Sequence, residues 1–287
     1  MNIVISGEKI QQLCDIYLGF PDDFIYNPII QLQSKKCVDL NNINNLYDNP
    51  RLIFCYSHNL HILSNKIDYF KNNFILVSHN SDHIVDYNDE IKKILDCSKL
   101  IKFYCQNLCF FNEKMNLLPI GIANSMWSHS ILNNPNIYNM AINSEKKNNI
   151  FFNFSIQTNY FNRIICYESL KNKINWINNE SSEKYIINLS TYKFCICPEG
   201  NGVDTHRLWE CLYLKVVPIV INSKFTQILL RYNIPLYVMN NWNELDILKL
   251  KYELFDFNNE KFKKILYFDK NYINDDYANV ETYNHNY

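Results

Sequence analysis

Glycine is scarce in this chain. Five of the 287 residues are glycine, at positions 7, 19, 121, 200 and 202, whereas globular chains ordinarily carry about 7%. The first strand lacks the Gly-x-Gly-x-x-Gly fingerprint that an epimerase-like nucleotide-processing enzyme would need. Abundant Asn, Ile, Lys and Tyr indicate an AT-biased genome, in which glycine codons are easily lost. We therefore expect the remaining glycines to be required by geometry.

An excess of one charge is also missing. Lys and Arg number 28 against 29 Asp and Glu, giving a net charge of -1, which does not favour a general binder of nucleic acid or membrane surfaces. The N-terminal residues lack a basic segment followed by a long apolar run, and no stretch approaches the roughly 20 apolar residues that span a bilayer. We expect a cytoplasmic protein that binds no nucleic acid and has no membrane span.

Cysteine is present but shows no disulfide or metal pattern. The ten cysteines are scattered along the chain, so buried reduced thiols are the expected state. Cys195 and Cys197 share one face of a predicted strand, but no second pair of ligands accompanies them at a suitable spacing. This favours core packing over a zinc site, and we expect no bound metal.

The chain alternates short apolar runs with longer amphipathic stretches, which predicts an α/β fold with parallel sheets. The predicted strands of the first half are residues 51–57, 74–78, 100–105 and 117–122, with a crossover helix within 82–98. A polar break at 143–149 separates them from a second series at 149–156, 193–198, 216–221 and 235–239. We predict two domains, 1–145 and 146–287, the second ending in a helical tail, with a ligand cleft between the carboxyl ends of their sheets.

Residues 193–221 carry the clearest motif, KFCICPEGNGVDTHRLWECLYLKVVPIVI. We interpret it as strand, turn, helix and strand. Pro198 ends the strand, Gly200 and Gly202 would permit a turn with positive φ, and Asp204 would be the N-cap of a helix reaching about Leu214. A glycine turn that opens a helix is typical of a phosphate-binding site.

Charges on this predicted helix also indicate an anion. Helical spacing places His206, Arg207 and Glu210 in one polar patch, opposite an apolar side of Leu208, Cys211 and Leu212. Arg207 in the first turn opposes the helix dipole, a penalty that a bound anion would reverse. The alternative is a simple Arg207–Glu210 surface ion pair.

These residues resemble a known family. The string Cys-Pro-x-Gly-Asn-Gly-x-Asp-x-His-Arg-x-Trp-Glu, followed by an apolar helix and Pro-Ile-Val, resembles the C-terminal signature of exostosin-like glycosyltransferases, particularly those encoded by large DNA viruses. Looser similarity extends to residues 155–163, 119–127 and 78–82. Lys215 is a departure, because a glycine usually follows the helix.

The resemblance implies a GT-B fold, in which two Rossmann-like domains face each other across a cleft. The second domain would bind the nucleotide-sugar donor, a UDP- or GDP-sugar, and the first a glycan or other hydroxyl acceptor. Glu210 would bind the donor ribose, and Arg163 and Arg207 would neutralise the diphosphate without a metal. The expected donor site comprises Arg163, Glu199, Gly200, Asn201, Gly202, Asp204, His206, Arg207 and Glu210.

An inverting transfer also needs a base that removes the acceptor proton. Candidates follow two predicted strands of the first domain: His58, then His79, Asp82 and His83. We favour Asp82 as the catalytic residue, followed by His79; polar loop capping is the alternative role for each.

The sequence therefore predicts a metal-independent inverting glycosyltransferase, in the host cytoplasm or virion if the gene is viral. A degenerate nucleotide-sugar binder or a virion structural protein is the alternative.

Overall fold

The computed structural model describes residues 4–25, 34–45, 50–130, 135–178 and 181–267. The chain forms two compact units, one extending to Ile120 and including Tyr267, the other comprising Gly121–Leu266. The second unit begins before the expected boundary at residue 146. Its early start has a physical reason, since the Tyr138 ring lies edge-on against Tyr213 and Ser190 donates a hydrogen bond to Ser144.

The first unit contains a six-stranded parallel sheet with the order β2-β1-β3-β4-β5-β6. Its strands are β1 Ile16–Gly19, β2 Cys37–Asp39, β3 Leu52–Tyr56, β4 Phe74–His79, β5 Leu100–Cys105 and β6 Met115–Leu117. The α/β fold class with parallel sheets is thus confirmed. The short strands β1 and β2 were not among those predicted.

One predicted strand, 117–122, is largely wrong. Strand β6 ends at Leu117, and the Leu118 amide makes one more bond, to the Cys105 carbonyl. Pro119 then has no N–H to donate, so the ladder stops there.

The helices of the first unit are α1 Gly7–Leu13, α2 Pro21–Ile25, α3 Leu60–Ser64 and α4 Asp89–Asp96. Helix α4 is the predicted crossover, capped by Asn88, whose side chain accepts from the Ile91 amide. Helix α1 buries Ile10 against sheet residues Phe54 and Val77. Gln11 of the same helix donates to the Tyr56 hydroxyl at the end of β3 and accepts from the Asn80 side chain just after β4.

The second unit contains a four-stranded parallel sheet with the order β10-β9-β8-β7. Its strands are β7 Asn148–Phe151, β8 Tyr192–Ile196, β9 Val217–Ile221 and β10 Tyr237–Met239, and its helices are α5 Pro135–Ala141, α6 Tyr160–Leu170, α7 Ser182–Ser190, α8 His206–Tyr213, α9 Lys224–Arg231 and α10 Glu260–Leu266. Helix α6 packs Cys166 and Leu170 against one face of this sheet.

The predicted strand–turn–helix–strand unit is present as β8, α8 and β9, but two local details were wrong. The N-cap of α8 is Thr205, not Asp204. Glycine with positive φ occurs, within the described residues, at Gly121 and not at Gly200 or Gly202. The turn at 198–204 therefore does not use the left-handed conformation that the glycines would permit.

Across the described part of the chain, no helix combines the length and apolar character needed to cross a bilayer.

Candidate functional site

A cavity of about 310 Å³ lies in the second unit at the carboxyl ends of β8, β9 and β10. Ligands of parallel α/β sheets bind at this edge. The wall is partly apolar, with Ile165, Leu208 and Phe225, and partly polar. The polar lining residues are Asn162, Ser169, Glu199, Thr205, Asn222, Ser223, Thr226, Asn240, Asn241 and Asn243.

Two helix N-termini contribute to this cavity. Its wall includes Thr205, the N-cap of α8, and Ser223, the N-cap of α9. The Ser223 side chain already accepts from the Thr226 amide, whereas Thr205 makes no side-chain cap bond. Helix N-termini present amide hydrogens and partial positive charge, so the cavity is suited to an anionic group.

The predicted donor residues do not all reach this cavity. Glu199 lines it, and burial raises the pKa of its carboxyl group. Asn201 is exposed, while Gly200 and Gly202 are buried in the turn, where the Gly200 amide donates to the Gly202 carbonyl at 3.1 Å. Asp204 is 2% exposed and accepts a 2.6 Å hydrogen bond from the Trp209 indole. Asp204 thus contributes to the internal packing of α8.

Arg163, from α6, holds the turn in place. The side chain is buried, and it donates from Nε to the Glu199 carbonyl at 2.8 Å and from Nη1 to the Ser155 carbonyl at 2.7 Å. Burial lowers the pKa of Arg163 to about 10, and repulsion from the Arg207 charge contributes. Arg163 is thus tied to the backbone of the cavity residue Glu199, although neither Arg163 nor Arg207 is among the described residues that line the cavity.

Arg207 is half-buried between α7 and β8. Its guanidinium lies 5.1 Å from the centre of the Tyr185 ring, and Nη1 is 3.9 Å from the Cys195 sulfur. Burial opposes the charge, but Tyr185 and Cys195 outweigh it and raise the pKa of Arg207. The cation is thus held by an aromatic face and a sulfur atom.

The side chains of Glu210 and His206 bind different partners, so the predicted patch of His206, Arg207 and Glu210 is not formed. Glu210 is 8% exposed and accepts a 2.7 Å hydrogen bond from the Tyr185 hydroxyl. Nδ1 of His206 instead lies 2.9 Å from the Gly121 carbonyl oxygen. Arg207 and Glu210 therefore share Tyr185, whereas the imidazole anchors the start of the unit. The predicted apolar side of the helix, Leu208, Cys211 and Leu212, is buried as expected.

Three thiols form the group that could hold a metal ion among the residues described. The sulfurs of Cys195, Cys197 and Cys211 lie within 4.8 Å of one another. Burial disfavours thiolates, but hydrogen bonds from the other two thiols and the Arg207 charge together lower the pKa of Cys195. The sequence spacing indicated only the strand pair, since Cys211 joins it by the packing of α8 on β8. None of the ten cysteines is paired in a disulfide, and eight of them are buried, as the sequence predicted.

The predicted catalytic residues of the first unit have different environments. Asp82 is exposed. His79 is 1% exposed at the end of β4, and its ring nitrogens lie 2.9 Å from the Pro119 carbonyl oxygen and 3.2 Å from Asn80 Oδ1.

A polar cluster that sequence reasoning only partly identified lies near these residues. His58 Nε2 is 2.7 Å from Asp23 Oδ1, and His58 Nδ1 is 3.3 Å from the Ser81 hydroxyl. His83 Nδ1 is 3.2 Å from the same hydroxyl. The sequence indicated His58 and His83 as residues after strands, but Asp23 was missed because β1 was not predicted.

No protein-family model matches this chain, and no curated protein is similar to it at a significant level.

Proposed function

We propose that this protein is a glycosyltransferase with a GT-B fold that transfers a sugar from a UDP- or GDP-sugar to a glycan or other hydroxyl acceptor. The observation that carries the proposal is the cavity at the carboxyl edge of the second sheet. It combines an apolar wall, five asparagine amides and the N-termini of α8 and α9. A nucleotide sugar offers complementary groups: a flat base, sugar hydroxyls and a diphosphate.

The charges beside the cavity support the diphosphate part of this proposal. Arg163 bonds to the backbone of Glu199, a cavity residue, and is close enough to Arg207 for the two charges to repel. A diphosphate nearby would relieve that repulsion. As the bond between sugar C1 and phosphate breaks, negative charge grows on the leaving diphosphate, and these cations with the helix termini stabilise it. We propose that they do so without a metal ion.

The first experiment is a thermal-shift screen of the whole chain with nucleotides and nucleotide sugars. A ligand present at 100 times its Kd should stabilise the protein by about 2.7 kcal/mol. Release of nucleoside diphosphate from the stabilising sugar donor then tests turnover. Binding without turnover would favour the alternative of an inactive nucleotide-sugar binder, and no stabilisation by any nucleotide would contradict the proposal.

A matched pair of variants tests the cavity. Ile165 is 60% exposed and lines the cavity, whereas Ile187 is 41% exposed on α7 and is not part of its wall. We expect Ile165→Trp to crowd the cavity and weaken nucleotide binding, measured by calorimetry. Ile187→Trp should bind as the parent does. Equal affinity in both variants would place the nucleotide elsewhere.

A further inference from the structure

The polar cluster of the first unit lies at the switch point of its sheet. Strand β2 lies on one side of β1, and β3 on the other, so the chain leaves the carboxyl ends of β1 and β3 in opposite directions. A crevice forms at such a point in open α/β sheets. Asp23 follows β1, His58 follows β3 and Ser81 follows β4.

Asp23 is fixed in position by three donors. Oδ1 accepts from His58 Nε2 at 2.7 Å, while Oδ2 accepts from the Phe20 amide and the Asn59 side chain, both at 2.7 Å. In addition, the buried Tyr56 hydroxyl donates to the Asp23 carbonyl oxygen. The carboxylate therefore has little freedom to move away from the imidazole.

This arrangement determines the tautomer of His58. A carboxylate can only accept, so Nε2 must carry the hydrogen, and in the neutral ring Nδ1 presents its lone pair. That lone pair faces the Ser81 hydroxyl at 3.3 Å. The Tyr56 ring stacks on His58 at 5.5 Å between ring centres, which supports the imidazole from one side. The side chain is still 33% exposed, so a ligand hydroxyl can reach it.

We infer that His58 is the catalytic base of the reaction proposed above and that Asp23 is its positioning residue; this inference rests on the proposed function. An acceptor hydroxyl that displaces the Ser81 hydroxyl meets the Nδ1 lone pair. Its oxygen forms the new bond to sugar C1, its proton passes to Nδ1, and the C1–oxygen bond breaks with its electron pair leaving on the diphosphate. Asp23 then stabilises the imidazolium.

His58 is better placed for this step than the residues favoured from sequence. The buried His79 ring has protein partners at both nitrogens, and Asp82 is exposed. His58 alone among these candidates joins a fixed carboxylate on one nitrogen to an accessible hydroxyl on the other.

The tautomer can be tested without any substrate. Nitrogen-15 NMR of the imidazoles, assigned with His58→Gln, should show His58 in the Nε2–H form. Asp23→Asn should reduce the population of that form. A dominant Nδ1–H form in the parent protein would overturn the inference, whatever the fate of the glycosyltransferase proposal.

Kinetics test the base itself, with the nucleotide sugar that best stabilises the protein and with either an alcohol or azide as acceptor. Azide is already an anion and needs no base. His58→Ala should lower kcat for the alcohol about 10²–10⁴-fold, with nearly parental kcat for azide and unchanged donor KM. Asp23→Asn should likewise lower kcat for the alcohol more than for azide.

Other outcomes would contradict the assignment. Equal losses with azide and alcohol in His58→Ala would indicate a structural role. A large loss confined to alcohol transfer in Asp82→Asn, His79→Gln or His83→Gln, with His58→Ala active, would move the base to that residue. If no nucleotide binds, the proposed function fails, and the NMR result still judges the dyad.

Discussion

At the scale of single residues, Gly7 is required because Asn80 lies against it. A Cβ atom built on Gly7 would lie 1.7 Å from Asn80 Oδ1 and 2.8 Å from His79 Nδ1. Asn80 has little room to yield, since its own φ is 57° and its amide donates to Gln11. We expect Gly7→Ala to lower the free energy of unfolding by about 1–3 kcal/mol, measured by urea denaturation.

Gly200→Ala is the matched control for this substitution. Its Cβ would lie 3.3 Å from Thr205 Cγ2 and 3.4 Å from Arg163 Nη2, and its φ is not positive. The loss should stay below about 1 kcal/mol. A loss as large as that of Gly7→Ala would show that the turn at 198–204 is tighter than its contacts indicate.

The expectation that the few glycines are required by geometry is met at Gly7, where a Cβ atom has no room. It is not met in the way predicted for the turn at 198–204, whose glycines do not adopt a positive φ. Positive φ values fall mainly on asparagine in the described residues, at Asn80, Asn107 and Asn233. Asparagine tolerates the left-handed region better than most residues, so an asparagine-rich chain can form such turns with few glycines. The sequence could not show which asparagines these are, because the conformation depends on the packing around each turn.

At the scale of elements, the turn after α8 places a lysine where the sequence resemblance leads to the expectation of a glycine. Lys215 has a φ of 54°, its amide donates to Leu212, and the Val216 amide donates to Cys211. These are the two bonds of a Schellman motif, which favours glycine at this position. Lys215 thus adopts the left-handed conformation that glycine usually takes in this motif.

Lys215→Gly should therefore stabilise the protein by about 0.5–1 kcal/mol, by relieving left-handed strain at a side chain. Lys171, which ends α6 with a φ of -57°, is the control. Lys171→Gly should be neutral or destabilising, because no strain is relieved there. Thermal unfolding of both variants gives the comparison, and similar shifts would contradict the assignment.

Lys146 connects the ends of two helices in the second unit. Its ammonium group donates to the Ser190 carbonyl of α7 and the Leu214 carbonyl at the end of α8, each at 2.6 Å. Burial lowers the pKa of Lys146 from 10.5 to about 8. Between these two values the unfolded chain binds more protons than the folded one, so this group's contribution to the free energy of unfolding rises with pH.

The contribution of Lys146 can be isolated by difference. We expect the parent protein to gain stability relative to Lys146→Met as pH rises from about 8 to 10.5. Lys147, whose side chain is 68% exposed beside Glu145, provides the control Lys147→Met. Urea midpoints measured across the pH range should diverge for the first variant and run parallel to the parent for the second. Parallel curves for both would mean that Lys146 titrates normally.

Strands were predicted correctly where apolar runs are continuous. The predictions were wrong where a single residue determines where a strand ends or a helix begins. Strands β3, β4 and β5 follow runs that are buried along most of their length, and burial on both faces leaves such a pattern in the sequence. The strand predicted at 117–122 is wrong because Pro119 ends the ladder. The N-cap of α8 is Thr205 and not the predicted Asp204. Asp204 instead accepts from Trp209, a partner that cap preferences do not reveal.

At the scale of the whole molecule, two α/β units, each with a parallel sheet, could be predicted from the alternation of strands and helices. The sites could be predicted only in part. The cavity combines residues that follow β8, β9 and β10, of which the motif indicated only Glu199 and its neighbours. Likewise Asp23, His58 and Ser81 are far apart in sequence. They meet because parallel strands end at one edge of the sheet, and the order of strands in that sheet was not evident from the sequence.

The proposed division of labour between the units leads to a prediction for the complete chain. Hydrogen–deuterium exchange with and without UDP or GDP should show slower exchange at 197–208, 220–226 and 240–243, the segments that form the cavity. Amides at the start of α8 should be among the most protected, because a diphosphate accepts from helix N-terminal amides. Exchange in the segment 74–83 of the first unit should change less, because the acceptor is proposed to bind there and only a nucleotide is added in this experiment.

The same measurement tests metal independence. If arginines and helix termini neutralise the diphosphate, the protection should persist in EDTA and change little when Mn²⁺ is added. Protection and turnover that vanish in EDTA and return with Mn²⁺ would show that a cation supplies the missing charge. Protection confined to 74–83 would instead place the nucleotide in the first unit, and the cavity of the second would then need another ligand.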